Sequence, residues 1–139
     1  MKKTYKILFI GLIAISTFTG LILFSLVFIP LSNQEGVNTG RPNPLPEVNN
    51  ITLIVEYVSQ PTDSWENLSL HDYNTSVLDA LQEKCSVGLS HTSLGALVIS
   101  INGVGPDWVY YVNGQFAGVG AADYYLSNGD NVHWKRVNV

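Results

Sequence analysis

From Ile7 to Ile29 the chain runs for 23 residues without a charge, 17 of them apolar, and Pro30 closes the run. At about 1.5 Å of rise per residue a helix of that length spans roughly 35 Å, enough to cross a hydrocarbon layer of about 30 Å. Lipid offers the backbone no hydrogen-bonding partner, so a helix is the expected form. A cleaved signal peptide is the competing reading. Its apolar stretch usually covers about 7 to 15 residues and ends at small side chains, whereas this run is longer and leaves through Phe28-Ile29-Pro30-Leu31. The length favours an uncleaved anchor, with residues 1–30 forming a cytoplasmic tip and a span over 7–29. Lys2, Lys3 and Lys6 precede the run, and positive flanks stay on the cytoplasmic side. The expectation is a single-pass protein of the cell membrane, held in the lipid bilayer through residues 7–29, with its N-terminus cytoplasmic and its C-terminal part extracellular.

Beyond the run, four basic residues face eleven acidic ones with no Lys/Arg cluster. Phosphate backbones require such a cluster, so nucleic acid is excluded as a partner class. Cys85 is the single cysteine, so no intrachain disulfide can form and the exported part must hold together by its core. With Lys84 as its only neighbouring cation, Cys85 reads as a small hydrophobe at the end of a helix, not as a reactive thiol. Three sequons, at Asn50, Asn67 and Asn74, are candidate glycosylation positions if the host modifies exported proteins; chance in an Asn-rich chain explains them equally well.

Residues 31–50 hold five Asn, three Pro and two Gly, with Pro42, Pro44 and Pro46 alternating. That composition predicts an extended linker lifting a domain of residues 51–139 off the membrane. In the domain, Ile51, Leu53, Val55 and Tyr57 alternate onto one face and predict a strand, followed by a shorter one around Asn67 to His71. The period then lengthens: Val77, Leu78, Leu81 and Cys85 share a helical face, Ser76 with Asp79 has capping-box spacing, and Gly88 is placed to end the helix. Strands return over 96–102, 108–112 and 131–137, separated by Asn102-Gly103, Asn113-Gly114 and Asn128-Gly129. Asn-Gly pairs supply the positive φ of tight reversals. The order ββαβββ predicts an α+β domain in which one helix packs on a small mixed sheet.

The helix Thr75-Ser76-Val77-Leu78-Asp79-Ala80-Leu81, the segment Ile101-Asn102-Gly103-Val104, the run Trp108-Val109-Tyr110-Tyr111-Val112-Asn113-Gly114 and the closing stretch Leu126 to Trp134 together resemble a widespread domain of unknown function. That domain is similar to the C-terminal β-domain of transcobalamin and intrinsic factor. The resemblance covers residues 51–139. It implies a small β-grasp-like domain of the kind attached to prokaryotic cell surfaces. In the vertebrate carriers the corresponding domain closes over a corrinoid held by a separate helical domain, which these 139 residues do not encode. Cobalamin is thus implied by the resemblance alone, and no cofactor is read from the residues themselves.

His71, His91 and His133 fall on separate elements without the paired spacing of a zinc site, so no metal ligands are assigned. No nucleophile elbow or Cys-His protease pattern occurs, and catalytic residues are likewise none. Gly118-Val119-Gly120 starts like a dinucleotide fingerprint but reads as a loop, since Asp123 stands at the third glycine position. The aromatics are the informative chemistry. Trp108 and Tyr110 alternate with Val109 and Tyr111, so rings project from both faces of one strand, and Tyr125 and Trp134 are close enough in order to join either cluster. These rings, Trp108, Tyr110, Tyr111, Tyr125 and Trp134, are either the core of a disulfide-free domain or a ligand-binding surface. The expected function is non-enzymatic: a surface-displayed binding or interaction module for an extracellular protein or small molecule. A structural component of a cell-surface assembly, or an accessory cobalamin or small-ligand capture protein acting with a partner, are the alternatives.

Overall fold

The computed structural model describes residues 38–137. The anchor expected over 7–29 and the first part of the linker lie outside them. Among the described residues no helix is long and apolar enough to cross a membrane.

Among the described residues seven strands and one helix follow in the order β1 (Val48–Glu56), β2 (Asp63–Leu70), α1 (Val77–Lys84), β3 (Val87–Thr92), β4 (Gly95–Ile101), β5 (Trp108–Val112), β6 (Gln115–Phe116) and β7 (Asn131–Arg136). Five of the strands make one sheet in the order β2-β1-β7-β5-β6, while β3 and β4 pair only with each other. β1 and β7 run parallel and every other pair is antiparallel. The domain is therefore mixed α+β, mostly sheet, as the sequence pattern predicts.

The period of two sets the inner face of the sheet. Val55, Trp134 and Tyr110 lie in one cross-strand row and Leu53, Val132 and Val112 in the next. All six are buried. Against this face pack Val77, Leu78, Ala80 and Leu81 of the helix. Ser76 caps α1: its hydroxyl accepts from the Asp79 amide at 3.1 Å, while the Asp79 carboxylate accepts from the Ser76 amide at 2.9 Å. The expected capping box is thus formed, with Asp in place of the longer Glu.

Three expectations need correction. Gly88 does not end the helix. Cys85 already stands extended as the cap, its amide donating to the Leu81 carbonyl at 2.9 Å, and Gly88 lies inside β3. There it faces Ser100 so closely that a Cβ would collide with the Ser100 hydroxyl. The strand β3 itself went unread because Val87-Gly88-Leu89-Ser90-His91-Thr92 is only half-buried and carries little alternation.

The third concerns residues 38–50, which lie against the domain and do not extend away from it. Leu45 packs on the core, its carbonyl accepts from the buried Thr75 hydroxyl, and the Arg41 amide donates to the Tyr125 carbonyl. Gly40, at φ +68°, crosses the Tyr124 ring so closely that a side chain there would strike it. β1 accordingly starts at Val48. Asn49 and Asn50 bulge outward before Ile51, with Asn50 in the left-handed region, which breaks the alternation a sequence reading follows.

The Asn-Gly turns behave as two kinds. Asn102-Gly103 and Asn113-Gly114 have positive φ at both residues, the signature of a tight reversal, and the second makes the β5–β6 hairpin. At Asn128-Gly129 only the glycine is left-handed. Asn128 accepts from the Asn49 amide at 2.8 Å, and this turn leads the chain into β7 alongside β1.

Because Ser76 is almost fully buried and serves both halves of the capping box, Ser76→Ala is expected to lower stability by about 1 to 2 kcal/mol. Denaturant unfolding followed by circular dichroism measures it.

Candidate functional site

The five aromatic residues singled out in the sequence divide between places. Trp108, Tyr110 and Trp134 point to the inner face and are each at least nine-tenths buried. Tyr111 lies half-buried on the outer face, its ring edge-on to Phe116 at 5.9 Å. Tyr125 sits half-buried in the segment that bridges Arg41 and Ser76. Three of the five therefore meet, and two do not join them.

The three inner rings form the floor of a cleft. Tyr110 and Trp134 are 5.0 Å apart between centroids and tilted by 35°; Trp108 meets Tyr57, and Tyr110 meets Tyr124, edge to face. One wall is β4, through Ala96, Leu97 and Val98; the other is the loop after β6, through Ala117, Val119 and Ala121. The cavity is about 160 Å³. It opens beside a wider groove of about 710 Å³ between the tip of the β3–β4 hairpin and the same loop, with Ala96, Leu97, Val119 and Gly120 shared as walls and Asp123 at its side. Neither hollow is lined by Lys or Arg.

The polar tips of the floor are set differently. Trp108 Nε1 donates to the Val104 carbonyl at 2.8 Å, and Tyr110 Oη donates to the Val119 carbonyl at 2.7 Å. Trp134 Nε1 is buried and finds no acceptor among the described residues. Burial pushes the Tyr110 hydroxyl well above the ordinary tyrosine range, with Tyr124 and Asp123 adding to the effect. Tyr110 thus stays neutral under physiological conditions.

Sequence reasoning missed the walls. Gly118-Val119-Gly120 was legible as a loop, but nothing in it shows that it faces β4, and β4 contributes small or ordinary aliphatic side chains. The remaining chemistry is occupied elsewhere. His133 Nε2 lies 2.8 Å from Glu56 on the outer face, while His71 and His91 are exposed. Cys85 is buried, and burial raises its thiol above the usual range, so little thiolate forms. Asp130 is spent on the turn, accepting from the Ser127 amide and from Asn113 Nδ2. A shallow polar hollow carries His71, Asp72, Asp79 and Glu83, but Asp79 is committed to the helix cap. Among the described residues no group of three or more His, Cys, Asp and Glu is placed to hold a metal ion. The sequon residues Asn50, Asn67 and Asn74 are all exposed.

Residues 74–138 match the family described as "Domain of unknown function (DUF4430)". Among solved structures, haptocorrin in complex with Cbi aligns with a TM-score of 0.52 at 16% identity, over 72% of this chain and 28% of haptocorrin. A candidate metal-binding protein from Ruminococcus gnavus ATCC 29149 aligns with a TM-score of 0.50 at 15% identity, over 64% of this chain and 98% of its own. At such identities the likeness is one of fold, and the chain spans well under a third of haptocorrin. No curated protein matches the sequence. The resemblance read from the sequence agrees with both findings: residues 74–138 match that domain of unknown function, and the fold is similar to part of haptocorrin.

The raised Tyr110 value makes stability depend on pH. The native state keeps a proton that the unfolded chain loses near pH 10, so this stabilisation is complete below about pH 10 and falls as pH rises beyond it. Tyr110→Phe should flatten that alkaline fall, while costing about 1 kcal/mol at neutral pH through the lost bond to Val119. Denaturation midpoints across the alkaline range check both signs.

Proposed function

We propose that this protein is a membrane-anchored, surface-displayed, non-enzymatic binding module that captures its ligand in the cleft between the β3–β4 hairpin and the sheet. The uncharged run Ile7 to Ile29 behind three lysines supports the anchor and the outward orientation. A β-grasp-like arrangement is supported by the strand order β2-β1-β7-β5-β6 around a parallel central pair. The observation that carries the capture reading is the ring-floored apolar cleft with a buried, unpaired donor among its lining residues. Its inner lining holds no acid–base pair and no nucleophile backed by a base.

The likeness to haptocorrin supports a narrower second reading, accessory cobalamin capture acting together with a partner. A structural role in a surface assembly draws support from Leu94, Leu97, Ile99 and Phe116, which are apolar and exposed.

Gly120 gives a direct test. Its φ is not left-handed, a Cβ there would meet only the flexible Asp123 carboxylate at 3.3 Å, and the residue lines both the cleft and the wider groove. Full-length protein immobilised in nanodiscs should retain a small molecule from host extract, identified by mass spectrometry. Gly120→Leu, folded by circular dichroism, should lose at least about nine-tenths of it, since filling a pocket removes the contact area that binds. Equal retention by the variant overturns the assignment of the cleft.

A further inference from the structure

The groove between the tip of the β3–β4 hairpin and the loop after β6 has a single charged residue in its lining, Asp123. Its carboxylate is placed from two sides. Asp123 Oδ2 lies 3.3 Å from where a Cβ on Gly120 would stand and 3.7 Å from where one on Gly95 would stand, so it is set between the loop and the hairpin turn. The Asp123 amide donates to the Gly120 carbonyl at 2.9 Å, which holds the residue at that loop. Among the described residues the ion pairs belong to Glu47 and Glu56, and Asp123 joins none. Its charge is felt in the cleft as well: after burial and Tyr124, Asp123 contributes to raising the Tyr110 hydroxyl, and Tyr110 is part of the cleft floor.

The cleft and the groove make different demands on one ligand. Every side chain lining the cleft is apolar or aromatic, and the polar tips of Trp108 and Tyr110 are already bonded to backbone carbonyls. About 160 Å³ is roughly the space that admits one benzene-sized group. The cleft therefore selects a compact apolar ring. Ala96, Leu97, Val119 and Gly120 line both hollows, so a molecule seated by such a ring continues into the groove where Asp123 stands.

Charge decides what the other end carries. A carboxylate or phosphate would meet Asp123 with no Lys or Arg in either lining, and the four basic against eleven acidic residues beyond the N-terminal apolar run add a field of the same sign. A hydroxyl can donate to Asp123 but gains only a hydrogen bond, whereas an ammonium gains the bond and the charge together. Asp123 is exposed, so the pair stays solvated: it selects among ligands, while the cleft supplies most of the affinity. Resting on the capture reading above, we infer that the ligand is a small organic amine with a compact apolar ring, the ring filling the cleft and the ammonium donating to Asp123 in the groove.

The test uses full-length protein in nanodiscs with labelled alanine methyls, the Ala96 and Ala117 signals being assigned by their loss in Ala→Ser variants. The probes are phenylalkylamines with spacers of two to four methylenes, together with the alcohol and the carboxylate of each. At the best spacer the amine should shift both signals and saturate. The alcohol should bind about two- to fivefold weaker, the range of an ion pair open to solvent, and the carboxylate weaker still. Butylamine, which lacks the ring, should leave the signals in place. Asp123→Asn, which keeps the shape and removes the charge, should erase the advantage of amine over alcohol while the alcohol still binds, and Gly120→Leu should abolish all binding. The inference is overturned if no amine binds, if alcohol or carboxylate binds as tightly, if butylamine matches the ringed amine, or if either variant leaves the pattern unchanged. It is equally overturned if the amine is displaced as protein concentration rises, which would give the groove to a second copy of the chain. Should every amine fail while Gly120→Leu still abolishes retention of a molecule from host extract, the amine assignment falls and the capture reading survives. Loss of neither would remove both.

Discussion

The parallel pairing of β1 with β7 is the constraint on which the domain depends. These are its first and last strands, so the whole of the intervening chain has to cross over and return. Their register is pinned at one end: Asn128 accepts from the Asn49 amide, the Gly129 amide donates to the Asn49 carbonyl, and the Thr52 amide donates to the Asp130 carbonyl. Asn113 extends the clamp to β5 by bonding both Asp130 and the Asn131 amide. A slip of one residue would turn Trp134 outward and carry His133 into the core. The inner rows of the sheet, and with them the floor of the cleft, follow from that register.

The β3–β4 hairpin supplies what the sheet lacks. It is anchored at its base, where Ile101 and Val98 enter the core, Asn102 accepts from the Ser86 amide and donates to Tyr57. Toward its tip it carries exposed Leu94 and Leu97 and no pairing to the main sheet. A two-stranded ribbon held at one end stands away from the sheet it faces, and the space between becomes the cleft. The loop after β6, held by Tyr110 through Val119 and by the helix through the Leu78 amide on the Ala121 carbonyl, closes the other side. A rigid floor with one wall tied only at its base is an arrangement suited to admitting a ligand.

Much of the fold was legible because local pattern and final environment agree. The strand alternation of Ile51 to Val55 and of Trp108 to Val112, the Ser76–Asp79 cap and the paired positive φ at Asn102-Gly103 and Asn113-Gly114 all carry into the structure. Legibility ended where burial is partial or distant in sequence. β3 has no clean period because neither face is fully buried. Residues 38–50 have a linker's composition, yet their hydrogen bonds run to residues distant in the chain, Tyr73, Thr75 and Tyr125 among them, none of which a local reading can see. Of the candidate site, the rings were visible as a class, but not which of them would face one another.

The sequence by itself determined the element types, the helix cap, the absence of a disulfide and the long uncharged run, since each depends on neighbours within a few residues. Which rings became floor, which Asn turned a hairpin and which tied β1 to β7 was decided only when strands distant in the chain were paired. The same pairing left the Trp134 indole buried with its hydrogen unclaimed. No periodicity records that, because it is the outcome of packing three separate segments around one side chain.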